Sequence, residues 1–193
     1  MTRVLLAAAV CGFMLWLGPS VGHVVTDQPA TAPTPYTREA WHPGWAPSPL
    51  TPGTSVRDEV LMRASESIPG SPTEIWKNAY RSWVPLRRED IDVDHVVPLR
   101  WAHEHGGWRW STARKRDFAN SLEYPRHLVV TSATDNRAKG AKGPDEWEPP
   151  APSRHCQYAE SWALIIVVWE LEVDGPTRAA IRRLARSCHG LGG

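Results

Sequence analysis

Residues 91–99, IDVDHVVPL, set a carboxylate and an imidazole side by side within a short apolar run. The β-branched residues of the run predict a strand, and Pro98 ends it because proline cannot donate to a sheet ladder. Burial of Asp94 and His95 in such a strand costs free energy unless both find hydrogen-bond partners or a ligand. The pair is therefore the first candidate for functional chemistry in the chain.

The N-terminus predicts a cleaved signal peptide over residues 1–22. Arg3 supplies a positive start, residues 4–17 are apolar, and Ser20 and Gly22 are small enough for positions −3 and −1 of a cleavage site. The apolar run is short for a membrane span, which needs ~20 residues. We therefore expect a secreted protein without stable membrane association after cleavage. An uncleaved anchor through residues 4–17 and a lipid attachment at Cys11 are the alternatives.

Residues 23–55 are predicted to form a Pro-rich linker, because seven prolines between residues 26 and 54 remove backbone donors. Trp41 and Trp45 are expected to lie against the following domain, which should span residues 56–193. After cleavage, Cys156 and Cys188 remain, and an even number of cysteines in an exported protein predicts one disulfide. Two unpaired thiols are the alternative.

Capping residues and hydrophobic spacing predict the main elements of the domain. We expect strands over residues 91–98 and 126–132, and helices after Ser55, over 71–83, after Ser111, over 132–140, over 156–172 and after Asp174. The predicted fold class is therefore α+β, with a small two-stranded ββα element embedded in a mostly helical domain. In this element the helix folds back across the hairpin and brings Asp94 and Asn136 to one point.

These residue types suit phosphodiester hydrolysis. Asp94 and Asn136 offer the oxygen ligands that Mg²⁺ prefers, and Mg²⁺ needs only one or two protein ligands. A neutral His95 beside the metal can accept a proton from water near pH 7. The metal would stabilise the leaving oxygen while the base generates the attacking hydroxide.

The sequence DVDHVVPL, followed by NRAKGAKGPDEW, resembles the HNH endonucleases, also called ββα-metal nucleases. The chain is most similar to the exported bacterial subgroup related to the nuclease part of GmrSD-type restriction systems. The similar region runs from about residue 92 to 150, with a core motif at about 91–147, and weaker similarity extends to the final cysteine. The resemblance implies that His95 is the general base, that Asp94 and Asn136 hold the metal, and that Lys139 and Arg137 approach the phosphate.

One position departs from the family pattern. The middle asparagine of the HNH name, which orients the loop carrying the base, corresponds to His127 at the start of the second strand. His127 could donate to a backbone carbonyl as asparagine does. Asn120 lies earlier in the chain and could serve a similar structural purpose.

Charge along the sequence favours a phosphate partner locally, although the formal net charge of the whole chain is only +1. Residues 108–142 contain eight basic and three acidic residues, an excess that predicts salt-sensitive binding to a nucleic-acid backbone with low sequence specificity. The predicted function is therefore an exported endonuclease that uses Mg²⁺, with Mn²⁺ as a second possibility. DNA is favoured over RNA as substrate, and no protein partner is predicted. The alternative is a non-catalytic exported binding protein that uses the ββα element as a scaffold.

Overall fold

Two small antiparallel sheets and a set of helices make up the computed structural model, which describes residues 33–67, 74–81 and 85–189. The predicted signal peptide lies outside the described residues. Within them the α-helices are α1 (Arg38–Trp41), α2 (Val56–Ala64), α3 (Leu99–Glu104), α4 (Thr112–Ala119), α5 (Ala133–Lys139), α6 (His155–Trp169) and α7 (Gly175–Ala185). The strands are β1 (Ser65–Ser67), β2 (Glu74–Lys77), β3 (Pro85–Leu86), β4 (Ile91–His95) and β5 (Leu128–Ser132). This mixture confirms the α+β class.

Strands β4 and β5 form an antiparallel pair in which Ile91 lies opposite Ser132 and His95 lies opposite Leu128. Helix α5 begins directly after β5, so strand, strand and helix follow in the predicted order. The end of β2 approaches the other edge of β5, where the Ala79 amide donates to the Val130 carbonyl at 2.9 Å. The pair is thereby held between the helix and the second sheet.

The helices begin where their capping residues predict. Ser55, Ser111, Ser132 and Asp174 each accept a hydrogen bond from the backbone N–H three residues later. These bonds satisfy amides that have no partner within the helix itself. Helix α5 ends at Gly140, whose φ of +54° is a conformation that favours glycine. Local sequence thus fixes both ends of the helix that covers the candidate site.

The helix predicted over residues 71–83 is wrong. Residues 74–77 form β2, the central strand of the order β1-β2-β3, and Trp76 pairs with Ser65 on one side and Leu86 on the other. The Trp76 indole is buried and donates to the Leu61 carbonyl at 2.9 Å. Apolar spacing over so short a stretch does not separate helix from strand, and pairing with neighbouring strands overrides local preference.

Part of the predicted linker belongs to the domain. The described residues from Pro33 onward lie in one compact unit, and the Trp41 side chain is fully buried in its core. Trp41 packs against Phe118 and Trp110, which confirms that this tryptophan lies against the domain. Residues 33–55 therefore differ from an extended, poorly packed linker, whereas residues 23–32 lie outside the described part.

The predicted disulfide between Cys156 and Cys188 is confirmed, with the two Cα atoms 4.9 Å apart. It joins the first turn of α6 to the 3₁₀ turn at Arg186–His189 that follows α7. Among the described residues, no helix is both long enough and apolar enough to cross a bilayer.

Candidate functional site

Asp92 and Asp94 share one face of β4, because side chains alternate along a strand. Helix α5 supplies a partner for each of them. The Asn136 amide nitrogen donates to Asp92 Oδ2 at 3.0 Å, and Lys139 Nζ donates to Asp94 Oδ1 at 3.0 Å. Because residues three apart lie on the same side of a helix, Asn136 and Lys139 face the strand together. We call this arrangement the aspartate face.

Asp94 is buried, and its carboxylate is bound on both sides. The Tyr80 hydroxyl donates to Oδ2 at 2.6 Å, while Lys139 Nζ lies 3.0 Å from either carboxylate oxygen. Burial raises the pKa of Asp94, and the Lys139 cation and the Tyr80 hydroxyl oppose that rise. Burial, reinforced by the Asp94 charge, holds the pKa of Tyr80 well above its usual value, so this hydroxyl stays a donor. The pair of donors compensates a carboxylate that is removed from water.

Lys139 is fully buried and also donates to the His95 carbonyl at 2.9 Å. It therefore contacts protein groups and is not exposed to a phosphate, which differs from the predicted phosphate role. Its neighbour Arg137 is exposed, as a phosphate contact requires. Lys139 acts instead on Asp94 and on the backbone at the end of β4.

His95 points to the other face of β4, where two imidazoles meet the end of helix α4. His95 Nε2 lies 2.8 Å from the Ala119 carbonyl, and His127 Nε2 lies 2.7 Å from the Phe118 carbonyl. The last carbonyls of a helix have no partner within the helix, so the two histidines supply donors that this end lacks. A carbonyl only accepts, so each Nε2 carries the proton and each Nδ1 keeps its lone pair.

Aromatic rings enclose His95. The Trp45 ring is parallel to the imidazole within 4°, with centroids 5.7 Å apart. His42 and His127 approach edge-on, with centroid distances of 5.8 Å and 6.3 Å. Burial, followed by the neighbouring His127, holds the pKa of His95 well below its usual value, and burial lowers the pKa of His127 to about 4. Both imidazoles are therefore neutral at pH 7. We call this arrangement the histidine face.

Asn120 ties the end of α4 to the segment that carries Trp45. Its Oδ1 accepts from the Ala46 amide at 2.9 Å, and its Nδ2 donates to the Arg116 carbonyl at 2.9 Å. Asn120 and His127 thus hold the same helix end from different sides. Both residues make these contacts with backbone groups of the fold.

A network of hydrogen bonds that the sequence did not indicate holds the start of helix α5 against the end of strand β5. The Asp135 carboxylate accepts from Asn78 at 2.8 Å and forms an ion pair with Arg81 at 2.8 Å. Asn78 in turn accepts from the Thr131 hydroxyl at 3.0 Å. Asp92 could have been found from the alternation of β4, whereas Tyr80 and Asn78 come from the stretch predicted as helix and carried no signal.

The predicted basic excess of residues 108–142 is largely neutralised in space. Four of its cations form ion pairs with acidic residues that all lie outside this stretch: Arg109 with Glu172, Arg114 with Glu170, Arg126 with Glu160, and Lys139 with Asp94. Arg116, Arg137 and Lys142 remain exposed. A charge count along the sequence therefore overstates the positive charge on this surface.

The donor set of the aspartate face fits a hard divalent cation. Two carboxylates and the Asn136 amide supply oxygen atoms along one strand–helix junction, and oxygen is the donor that Mg²⁺ prefers. An ionised carboxylate has about four acceptor positions, so Tyr80 and Lys139 leave capacity on Asp94 for a further ligand. Among the described residues, Cys156, Glu160 and Cys188 also lie close enough to share an ion, but their two sulfurs form the disulfide.

The fold defines an α+β protein, and this polar strand–helix junction is its candidate functional site. Over 169 residues, the chain is 30% identical to "Uncharacterized secreted protein" of Arthroderma benhamiae, and the match covers 85% of this chain and 81% of the relative. The chain belongs to the family of that protein. No family model matches the sequence. No solved structure matches it.

Proposed function

We propose that this protein is an exported, metal-dependent endonuclease of the HNH, or ββα-metal, class that hydrolyses phosphodiester bonds of nucleic acid. The observation that carries the proposal is the junction of β4 and α5, where Asp94 and Asn136 line one face and a neutral His95 ends the strand. Export is supported by the disulfide and by a relative whose name describes it as secreted. DNA is the favoured substrate, with RNA as the second.

His95 acts in this proposal as the general base. Its Nε2–H is held by the Ala119 carbonyl, so Nδ1 is the nitrogen that accepts a proton from the attacking water. The low pKa of His95 keeps the imidazole unprotonated at neutral pH, which is the state a base requires. The Ala119 carbonyl also stabilises the imidazolium that forms when Nδ1 takes the proton.

Asp94 and Asn136 hold the metal in this proposal, with Mg²⁺ preferred and Mn²⁺ possible. A divalent cation bound there would stabilise negative charge on the leaving oxygen. Lys139 and Tyr80 hold the Asp94 carboxylate in place and favour its ionised form. Arg137, exposed one residue after Asn136, is the cation available to approach the phosphate.

The first test incubates the protein from His23 onward, refolded with its disulfide, with supercoiled plasmid and with structured RNA. We expect cleavage with Mg²⁺ or Mn²⁺ that a chelator abolishes. His95→Ala should lower the cleavage rate by ~10²–10⁴-fold, because a positioned general base contributes that much. The matched control is His155→Ala, since His155 also contacts a backbone carbonyl, that of Pro149 at 2.9 Å, but lies in α6.

The control variant should cleave like the wild type. Equal cleavage by His95→Ala would remove the base from the proposal, and cleavage that survives the chelator would remove the metal. A folded wild type that cleaves neither DNA nor RNA would favour the alternative, a non-catalytic exported protein with the ββα element as scaffold.

A further inference from the structure

Residues 41–47, here called the strap, cross the histidine face and are anchored at both ends. At one end the fully buried Trp41 donates from Nε1 to His103 Nδ1 at 3.3 Å. At the other end the Ala46 amide donates to Asn120 Oδ1 at 2.9 Å, and Pro47 pairs with Ser55 in a β-bridge. Trp45 lies between these anchors, so its position is set by the folded domain.

Two rings of the strap, those of His42 and Trp45, pack against the proposed base and against each other. His42 meets Trp45 edge-on, with centroids 4.4 Å apart and ring planes at 85°. Trp45 then lies parallel to His95 within 4°, at 5.7 Å between centroids. His42 is itself buried, and its Nε2 has no hydrogen-bond partner among the described residues. His42 therefore packs against Trp45, and Trp45 in turn forms an offset parallel stack with the His95 ring.

This contact supplies a constraint that the hydrogen bond does not. The bond from Nε2 to the Ala119 carbonyl fixes one atom of the imidazole, but the ring can still turn about that direction. A parallel neighbour fixes the plane of the ring, and with it the direction of the Nδ1 lone pair, which lies in that plane.

We propose that Trp45 is a positioning residue for His95: the strap holds its indole against the imidazole face and so aims Nδ1 at the attacking water. This inference rests on the proposed nuclease function. Orientation matters to the rate because a misplacement of about 1 Å in a reacting group can cost on the order of 10²-fold.

The test compares Trp45→Ala and Trp45→Phe with Trp108→Ala, since Trp108 is a partly exposed tryptophan whose ring lies against Arg109 and stacks on neither His42 nor His95. We expect Trp45→Ala to lower kcat on the order of 10- to 100-fold with little change in KM. Trp45→Phe keeps a flat ring and should restore most of kcat. Trp108→Ala should retain wild-type kcat, and thermal melting verifies that each variant is folded.

A second readout does not depend on activity. In ¹⁵N spectra of histidine-labelled protein, with His95 assigned through His95→Ala, the wild type and Trp45→Phe should show one tautomer with the proton on Nε2. Trp45→Ala should keep that tautomer, because the bond to the Ala119 carbonyl remains, but its His95 Nδ1 resonance should shift or broaden as the ring turns. Wild-type kcat together with an unchanged Nδ1 resonance in folded Trp45→Ala would overturn the inference. An inactive wild type that still shows the change at Nδ1 would overturn the nuclease proposal and leave the ring contact standing.

Discussion

The two faces of strand β4 handle buried titratable groups in opposite ways. On the aspartate face, burial raises the pKa of Asp94, and a cation and a hydroxyl within 3.0 Å of the carboxylate oppose that rise. On the histidine face, the described partners of the His95 and His127 side chains are carbonyls and rings, and burial favours their neutral forms. Neighbouring residues of one strand thus carry a compensated charge and an uncharged base.

The two faces should therefore lose folding stability for different reasons. Removal of a partner from the aspartate face leaves a buried charge without compensation, which is among the costliest defects in a protein interior. Removal of charge-neutral contacts from the histidine face costs less, but protonation there introduces a charge where none is compensated. One face should therefore respond most to substitution and the other most to pH.

The largest expected effect on stability comes from Lys139→Met. This change removes the cation beside Asp94 while keeping a side chain of similar length, and loss of one partner of a buried ion pair costs about 3–5 kcal/mol. Urea denaturation measures the free energy of unfolding. The control is Lys142→Met. Lys142 is exposed and lies two residues after Gly140, so its substitution should change that free energy by less than ~0.5 kcal/mol.

Adding Asp94→Asn to Lys139→Met should recover much of the lost stability, because the double variant leaves no uncompensated charge. A loss below about 1 kcal/mol for Lys139→Met alone would mean that Asp94 is protonated or hydrated in the folded protein.

An intermediate effect is expected from pH on the histidine face. The pKa of His127 is about 4 in the folded protein against 6.5 for an unperturbed histidine. The unfolded chain therefore binds the proton first, so the contribution of neutral His127 is complete above pH 6.5 and is lost as the pH falls towards 4. Its full size is about 3 kcal/mol, from 1.36 kcal/mol per pKa unit.

His127→Gln isolates this term, because glutamine can still donate to the Phe118 carbonyl but does not titrate. The free energy of unfolding of this variant should fall less steeply than that of the wild type between pH 6.5 and pH 4. Parallel slopes in the two proteins would show that His127 does not titrate on unfolding.

The smallest effect on stability is expected from Asn136→Ala. The bond from Asn136 to Asp92 at 3.0 Å is half-buried, and a hydrogen bond of this kind contributes about 1 kcal/mol. The same variant should nearly abolish metal-dependent cleavage if Asn136 is a ligand. Asp92→Ala removes the same hydrogen bond and serves as the matched control. A smaller loss in Asp92→Ala would assign the effect to the Asn136 amide itself, whereas equal losses would assign it to the hydrogen-bonded Asn136–Asp92 pair.

Local signals in the sequence predicted the elements of the site but not all of their contacts. Strand β4 and helix α5 follow from β-branched residues, from the Ser132 cap and from Gly140, which act over a few residues. That Asn136 bonds to Asp92 rather than to Asp94 depends on the register of the helix over the strand, which spacing along the chain does not specify. Tyr80 follows β2 in the chain, and its contact with Asp94 depends on residues 74–77 forming a strand. That strand is fixed by pairing with β1 and β3, which lie elsewhere in the sequence.

The sequence predicted that Trp41 and Trp45 lie against the domain, but not which residues they contact. Seven prolines between residues 26 and 54 indicate an extended chain, but proline content does not predict whether a tryptophan among them is buried in the core. Trp41 is fully buried in the core, and its anchoring places Trp45 beside His95. Packing of this kind depends on the shape of the assembled core, which a single sequence does not reveal.

The disulfide between α6 and the 3₁₀ turn after α7 makes the stability of the protein depend on the redox state of its surroundings. It closes a loop of 32 residues, which stabilises a fold by about 3–4 kcal/mol in the chain-entropy model. In a reducing cytosol the same sulfurs stay as thiols, and that contribution is absent. A copy retained inside the cell that made it would therefore be the less stable form.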